Sequence, residues 1–358
     1  MSKMEYLKNL PVAVLGGGAV GKTCAADIKL AGHEVRLYDV MPFAEKSLKD
    51  LDKTGILFDG IQRNRDCFER SGRAFIDIVT TDIEKAIKGA GHIVVSCGSW
   101  GHEAMFRAMI PYLEDGQVVN VFADNFGCLL LRRLMREMGC TKKVIVGGWS
   151  SAPYGTRLES IGKCVFPHVS AKYRAITLRG AALPMTDTDD FLEASKHLPC
   201  MDAVTNGDGP SKANTILDVD FANVNPVIHV PATILGVSTM ENWGVIFGGH
   251  DKTTYSMYSH GLCPSICEVQ YQFYNEEIAL AEAIGVPAAN LKAQLDLWNS
   301  YAATGEDTQF GRISGVEEIT GPFYAYKNVA YNLGALGGLN IARFAEPPAA
   351  LGKHGGGQ

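Results

Sequence analysis

Short unbroken apolar runs recur along the first half of the chain, each followed by residues that suit a helix. Residues 12–15 (VAVL) form the first run, then come three glycines, helix-compatible residues 19–31, Gly32, and a second run at residues 34–38. A short continuous apolar run bounded by turn residues fits a strand buried on both faces. The opening is therefore read as a strand–helix–strand unit, with Gly32 supplying the left-handed cap of its helix. Further strand-like runs lie at residues 75–79, 92–96, 118–122 and 143–146, with helical stretches at 82–88, 102–113 and 127–138 between them. Strands alternating with helices predict an α/β fold, a doubly wound parallel sheet covering about residues 10–150. Residues 165–183 alternate as extended strands and 187–197 read as one more helix, so both are attached to the same domain.

From about residue 206 the pattern changes. Residues 206–214 are rich in Gly, Pro, Asp and Ser, as a linker would be, and longer helical patterns follow. The expected domains are 1–205, 206–346 and a disordered tail at 347–358, the second domain being mainly α-helical. Its candidate helices are 220–237, kinked near Pro226 and Pro231, then 264–284 and 288–302.

The glycine cluster fits two phosphate-binding patterns at once. Gly16-Gly17-Gly18-Ala19-Val20-Gly21-Lys22-Thr23 matches the dinucleotide fingerprint GxGxxG and the triphosphate loop GxxxxGK[ST]. In the first, Gly16 makes the tight turn, Gly18 admits a pyrophosphate, Gly21 packs helix on strand, and Ala19 and Val20 open the helix whose N-terminus favours an anion. Asp39 then ends the second strand 18 residues past Gly21, near the roughly 20 expected of the acid that grips an adenine ribose diol. No Arg or Lys stands in the next few residues to receive a 2′-phosphate, so NAD is expected over NADP. In the second pattern Lys22 would meet terminal phosphates and Thr23 a magnesium ion, but a helix that starts at once at Ala19 argues for the tighter turn. The domain is read as Rossmann-type. In that fold ligands lie beyond the carboxyl ends of the strands, which makes Cys97, Gly98 and Ser99 cofactor candidates and His102 a cofactor or substrate candidate.

Composition narrows the partners. The net charge is −6, with 33 Lys+Arg against 39 Asp+Glu, so no basic field exists for a nucleic acid. No apolar run approaches the roughly 20 residues that cross a bilayer, and residues 1–10 have no apolar signal core, so a cytoplasmic location is expected. The nine cysteines are scattered and read as reduced thiols, and the close pair Cys263 and Cys267 has no further ligand nearby, so no metal is expected.

The segment 220–232, DFANVNPVIHVPA, resembles the opening helix of the second domain in the opine dehydrogenase family, which carries an N-x-N-x-x-x-H-P-like motif. Residues 147–158 (GGWSSAPYGTRL) and 273–287 (FYNEEIALAEAIGVP) are similar to two further family segments, and with the fingerprint the resemblance extends over about residues 10–335. It implies NAD(P)H-dependent reduction of the imine formed from a 2-oxo acid and an amino compound. His229 is then the proton carrier, a role imidazole suits because its ordinary pKa is about 6.5. Asn225 of the same motif is implied to meet substrate; the Arg that often precedes the family's late motif is replaced here by Phe323, Tyr324 and Ala325, which leaves Arg157, Arg312 and Arg343 as candidates to grip a substrate carboxylate. Asn328 stands where the family carries an Asp that pairs with the histidine, and Asp218, Asp220, Glu241 and Glu276 are other acids that could serve. Two alternatives stay open: a secondary-alcohol dehydrogenase or ketone reductase needing no amine, and a dinucleotide-binding protein without turnover. The expected partner is a small carbonyl, amino or alcohol substrate, and the expected assembly is a homodimer.

Overall fold

The computed structural model describes residues 3–60, 70–158, 167–246, 248, 254–286, 303–304, 324–327 and 339–342. They fall into two compact units, the first ending at Asn223 and the second beginning at Val224.

In the first unit β1 (Val12–Leu15), α1 (Ala19–Leu30) and β2 (Val35–Tyr38) form the expected opening unit, with β1 wholly buried. The chain continues through β3 (Ile56–Asp59), β4 (Gly72–Ala74), β5 (Ile78–Thr80), α2 (Ile83–Ile87), β6 (His92–Val95), α3 (His102–Met109), β7 (Val118–Phe122), α4 (Gly127–Glu137) and β8 (Ile145–Trp149). After these come β9 (Tyr154–Leu158), β10 (His168–Arg174), β11 (Arg179–Ala182), α5 (Thr188–Ala194), β12 (Ser211–Lys212) and α6 (Ile216–Asp220).

The main sheet has eight strands in the order β12-β11-β8-β7-β6-β1-β2-β5, parallel except where β11 meets β8. From β1 the chain winds outward to β2 and β5 and then returns to the other side of β1 at β6. This reversal beside β1 is the topological switch point where a doubly wound sheet opens a crevice. Register aligns the carboxyl ends there, since Leu15 pairs with both Tyr38 and Val95, and Phe122 with Trp149. One polar chain crosses the core: Trp149 Nε1 donates to Asn120 Oδ1 at 3.2 Å, and the Asn120 amide meets His92 Nδ1 at 3.3 Å. Burial drives His92 down to about 3, so it stays a neutral hydrogen-bonding group.

A second sheet, β4-β3-β10-β9, lies on the far side of α1 and was not anticipated. It explains why α1 is buried from Gly21 to Ile28, including Asp27, instead of presenting a wet face. Asp27 is held by Arg174 at 2.9 and 3.1 Å, by Arg70 at 2.7 Å and by the Tyr154 hydroxyl. Burial works to raise its carboxyl, but the two guanidiniums outweigh it and hold the group below the usual carboxylate range.

Three expectations are corrected. The run at 75–79 is displaced: β4 ends at Ala74 and β5 starts at Ile78, because two different sheets take the two ends of that segment. The Gly- and Ser-rich stretch 206–214 is not an interdomain linker, since β12 within it extends the main sheet and α6 packs against β11 and β8. The first unit therefore runs on past residue 205 to Asn223. The helix read at 220–237 is two helices, because α6 ends at Asp220 and the next begins at Asn225, with Pro226 in its first turn, where a missing N–H costs nothing.

The second unit contains α7 (Asn225–Leu235), α8 (Pro264–Ala283) and a hairpin of β13 (Tyr324–Lys327) and β14 (Leu339–Ala342). Helices α7 and α8 pack together, and Gln270 Nε2 on α8 donates to the Ile228 carbonyl of α7 at 2.8 Å, in the turn where Pro231 interrupts the backbone ladder of that helix. The helix expected at 288–302 and the tail at 347–358 lie outside the described residues. No described helix is long and apolar enough to cross a membrane, and no described group of His, Cys, Asp and Glu could hold a metal ion.

Candidate functional site

The turn after β1 has the dinucleotide form. Gly16 lies at φ +113°, a conformation other residues adopt only at a cost. A Cβ on Gly21 would stand 1.8 Å from the Gly16 carbonyl oxygen, so only glycine lets α1 start this close to the strand. A Cβ on Gly18 would meet nothing within 4 Å, which leaves open space at the helix N-terminus, opening on Ala19 and Val20, where a pyrophosphate belongs. Ser96 closes the turn from the neighbouring strand, its hydroxyl reaching the Leu15 and Gly16 carbonyls at 3.0 and 3.2 Å.

Asp39 follows β2 at the same edge and is only 8% exposed. Its Oδ1 accepts from the Val40 N–H at 2.9 Å and its Oδ2 from the Ser47 hydroxyl. Each carboxylate oxygen retains a further lone pair, so the group is fixed in direction without being used up. Gly17 makes room for it, since a Cβ there would lie 2.9 Å from Asp39 Oδ2. The sequence reading gave no role to Gly17 or Ser47; the third glycine was a visible signal, whereas the serine carries none.

Lys22 and Thr23, the residues that the triphosphate pattern would use, are both enclosed by the fold. Lys22 is buried and its ammonium bonds the Gly17 carbonyl. Burial lowers it to about 8, against the attraction of Asp39. Thr23 bonds the Ala19 carbonyl at 2.8 Å and Thr156 at 2.6 Å and is wholly buried. A hydroxyl so enclosed cannot ligate magnesium, which disposes of the triphosphate-loop pattern.

Beyond β6, burial pushes the Cys97 thiol up to about 11, so it is a neutral filler and no nucleophile at ordinary pH. Gly98 and Ser99 lead into a short turn beside it. His102 is buried, stacks on Phe106 with ring centroids 5.1 Å apart, and is held neutral by burial. Past β7 the backbone takes left-handed φ values at Ala123, Asn125 and Phe126. Asp124 and Asp220 meet there: Asp124 accepts from the Cys128 N–H at 2.9 Å and Asp220 from the Phe126 N–H at 2.7 Å. Burial, and then the charge of Asp124, raises Asp220 to about 9, so the pair holds a proton. Asp218 is spent on the capping box of α6 with Thr215.

In the second unit, His229 lies one turn along α7 from Asn225, and its Nε2 is 3.2 Å from Asn225 Oδ1. An amide oxygen only accepts, so in this contact Nε2 is the donor and Asn225 orients the imidazole. Arg157 is exposed on β9, its guanidinium on the Thr156 carbonyl at 3.0 Å, while Thr156 beside it points to α1. Alternation along a strand therefore turns Arg157 away from α1 and its glycine turn. Asn328, Arg312 and Arg343 lie outside the described residues.

Comparison with known proteins finds relatives of both sequence and fold. Residues 212–323 match the family model described as NAD/NADP octopine/nopaline dehydrogenase, alpha-helical domain. The second part of the chain is thus similar to the helical domain of octopine and nopaline dehydrogenases. The chain is 28% identical to an opine dehydrogenase of Arthrobacter sp. (strain 1C) over 281 residues, 77% of this chain and 69% of that one. A solved octopine dehydrogenase with NADH and L-arginine shares its fold with a TM-score of 0.56 at 18% identity, covering 93% of this chain and 79% of the other. A yersinopine dehydrogenase with NADP+ bound gives 0.59 at 16% identity, covering 85% and 69%. The matched model and these relatives are described as dehydrogenases, and the first unit has the dinucleotide-binding fold that the solved ones share.

Proposed function

We propose that this chain is an opine-type dehydrogenase that uses NADH to reduce the imine, or carbonyl, formed from a 2-oxo acid and an amino compound. The observation that carries this reading is the presence in one chain of a Gly16–Gly21 cradle beside Asp39 and of an N-x-N-x-x-x-H segment within the matched stretch. The residues fit the cofactor: Gly18 leaves space for the pyrophosphate, the start of α1 supplies partial positive charge, and Asp39 would accept from a ribose diol. Bound there, the cofactor supplies the hydride. Asp39, with no cation after it, supports NAD over NADP. His229 holds the proton that neutralises the developing negative charge on nitrogen or oxygen, and Asn225 fixes the ring that carries it.

A second reading, reduction of a ketone or oxidation of a secondary alcohol without an amine, is favoured by Asn328 in place of an acid. An amide orients an imidazole but cannot balance its positive charge. The experiment that decides follows NADH absorbance across 2-oxo acids and ketones, each with and without an amino-acid panel. NADH oxidation only when both partners are present supports imine reduction; oxidation without amine supports the second reading.

A further inference from the structure

Helix α7 carries His229 on a turn that its own backbone holds poorly. Pro231 has no N–H to give to the Val227 carbonyl, and its ring crowds that carbonyl, so the turn 227–231 lacks a rung of the ladder. His229 stands in the middle of this turn. Its contact with Asn225 runs from the first residue of the helix into the interrupted part, and at 3.2 Å it lies at the long end of the N–H···O range. A slight bend between residues 225 and 229 therefore separates the two side chains.

The fastening comes from the neighbouring helix. Gln270, near the start of α8, donates from Nε2 to the Ile228 carbonyl at 2.8 Å. That carbonyl is in one peptide plane with the N–H of His229, so the two move together. Gln270 is 2% exposed and Ile228 1%, so the bond forms away from water. Its cost is visible on the same side chain: the Gln270 Oε1 is buried and has no hydrogen-bond partner among the described residues. Such an acceptor lowers stability in a way that an apolar side chain of the same length does not. The turn before it already supplies Ile266 and Cys267, both buried, so joining the two helices does not require an amide.

We propose that Gln270 is a positioning residue for His229: held on the Ile228 carbonyl, it fixes the pitch of the interrupted turn and so keeps the imidazole on Asn225. This role rests on the reading of His229 as the proton carrier. Gln270 acts through the backbone of α7 and not on the reacting atoms.

The test is ¹⁵N NMR of the full-length protein labelled at histidine, which reads which ring nitrogen carries the proton; the signals lost in His229→Ala assign the ring. In its neutral form the parent's His229 should be protonated at Nε2. Gln270→Met keeps the length and removes the donor, and should let the two tautomers mix, as should Asn225→Ala, which removes the acceptor directly. Gln270→Leu, also without a donor, should behave alike and stands in if the methionine variant does not fold. Ile266→Ala shortens a buried side chain of the same helix without touching the bond, and should melt earlier yet keep the parent tautomer. In NADH oxidation with the carbonyl substrate that the absorbance panel selects, Gln270→Met should lower kcat by about ten- to a hundredfold, the scale of a misplaced group, with KM and the NADH dissociation constant near parent values. Added to His229→Ala, it should take away nothing more. A parent-like tautomer in both Gln270 variants would overturn the proposal, as would an unchanged kcat beside an impaired His229→Ala. Tautomer mixing in Ile266→Ala would make the effect a general loosening and overturn it too. Undiminished turnover of His229→Ala, with the tautomer still set by Gln270, would instead overturn the proton-carrier reading.

Discussion

His229 and Asp39 divide the proposed work between two units, and substitutions should separate them. His229→Ala removes a proton carrier from α7, so turnover should fall by roughly two to four orders of magnitude while the NADH dissociation constant stays near its parent value. Stopped-flow turnover and fluorescence titration of the same preparation check both halves, and undiminished turnover would remove His229 from the proposal. Asp39→Ala should weaken NADH and narrow its advantage over NADPH, because the carboxylate both accepts from the diol and repels a 2′-phosphate. Competition of the two cofactors on the variant measures this; a variant that keeps the full preference would show that another group reads the ribose. Both residues were legible in the sequence, Asp39 from its spacing past Gly21 and His229 from its motif. Their supports were not: Ser47 reaches Asp39 across a turn and Ser96 reaches Gly16 from another strand, contacts that no local pattern encodes.

At the scale of elements, α1 shows why the reading of the chain succeeded and where it stopped. The run 12–15, the glycines and the helix-compatible residues after them established strand, turn and helix, because backbone conformation and two-sided burial are local demands. The second sheet was hidden, since β3, β4, β9 and β10 come from distant stretches and pair in an order that short-range alternation does not contain. The same holds for Asp27, whose partners Arg70 and Arg174 are far along the chain. Asp27→Ala should remove the anion that Arg174 and Arg70 share, leaving Arg70 its pairing with Asp202, and destabilise the fold by about 3–5 kcal/mol, the usual result of breaking a buried pair. Chemical denaturation followed by circular dichroism reads this, and a change within error would mean that the arginines find other partners. Gly21→Ala should be as damaging locally, because its methyl cannot coexist with the Gly16 carbonyl 1.8 Å away; weak NADH binding in a protein that still folds is the expected result.

For the molecule as a whole, the Asp124–Asp220 pair should impress a pH dependence on stability. In the folded chain Asp220 keeps its proton up to about 9, whereas an unfolded carboxyl loses it near about 3.9. Between those values the folded state binds the extra proton, so stability is fully present below the lower pKa, falls as pH rises across the window, and is level above the upper one. Thermal melts from pH 5 to pH 10 should show this decline, and Asp220→Asn, a permanently uncharged amide, should flatten it. A parent protein with no decline over the range would show that the two carboxyls do not share a proton.

The short strand β12 has a consequence for dissecting the chain. It is two residues long, it closes one side of the eight-stranded sheet, and its Lys212 is paired with Asp189. A brief edge strand bearing a lysine is a poor template for another chain, so Ser211–Lys212 acts as a guard against sheets joining edge to edge. A fragment cut after residue 205 would lose that guard together with α6, baring β11 with its unpaired backbone groups, and should self-associate. A fragment carried on to Asn223 keeps both and should remain monodisperse, so the cleanest place to cut this protein lies well beyond the point where its composition changes.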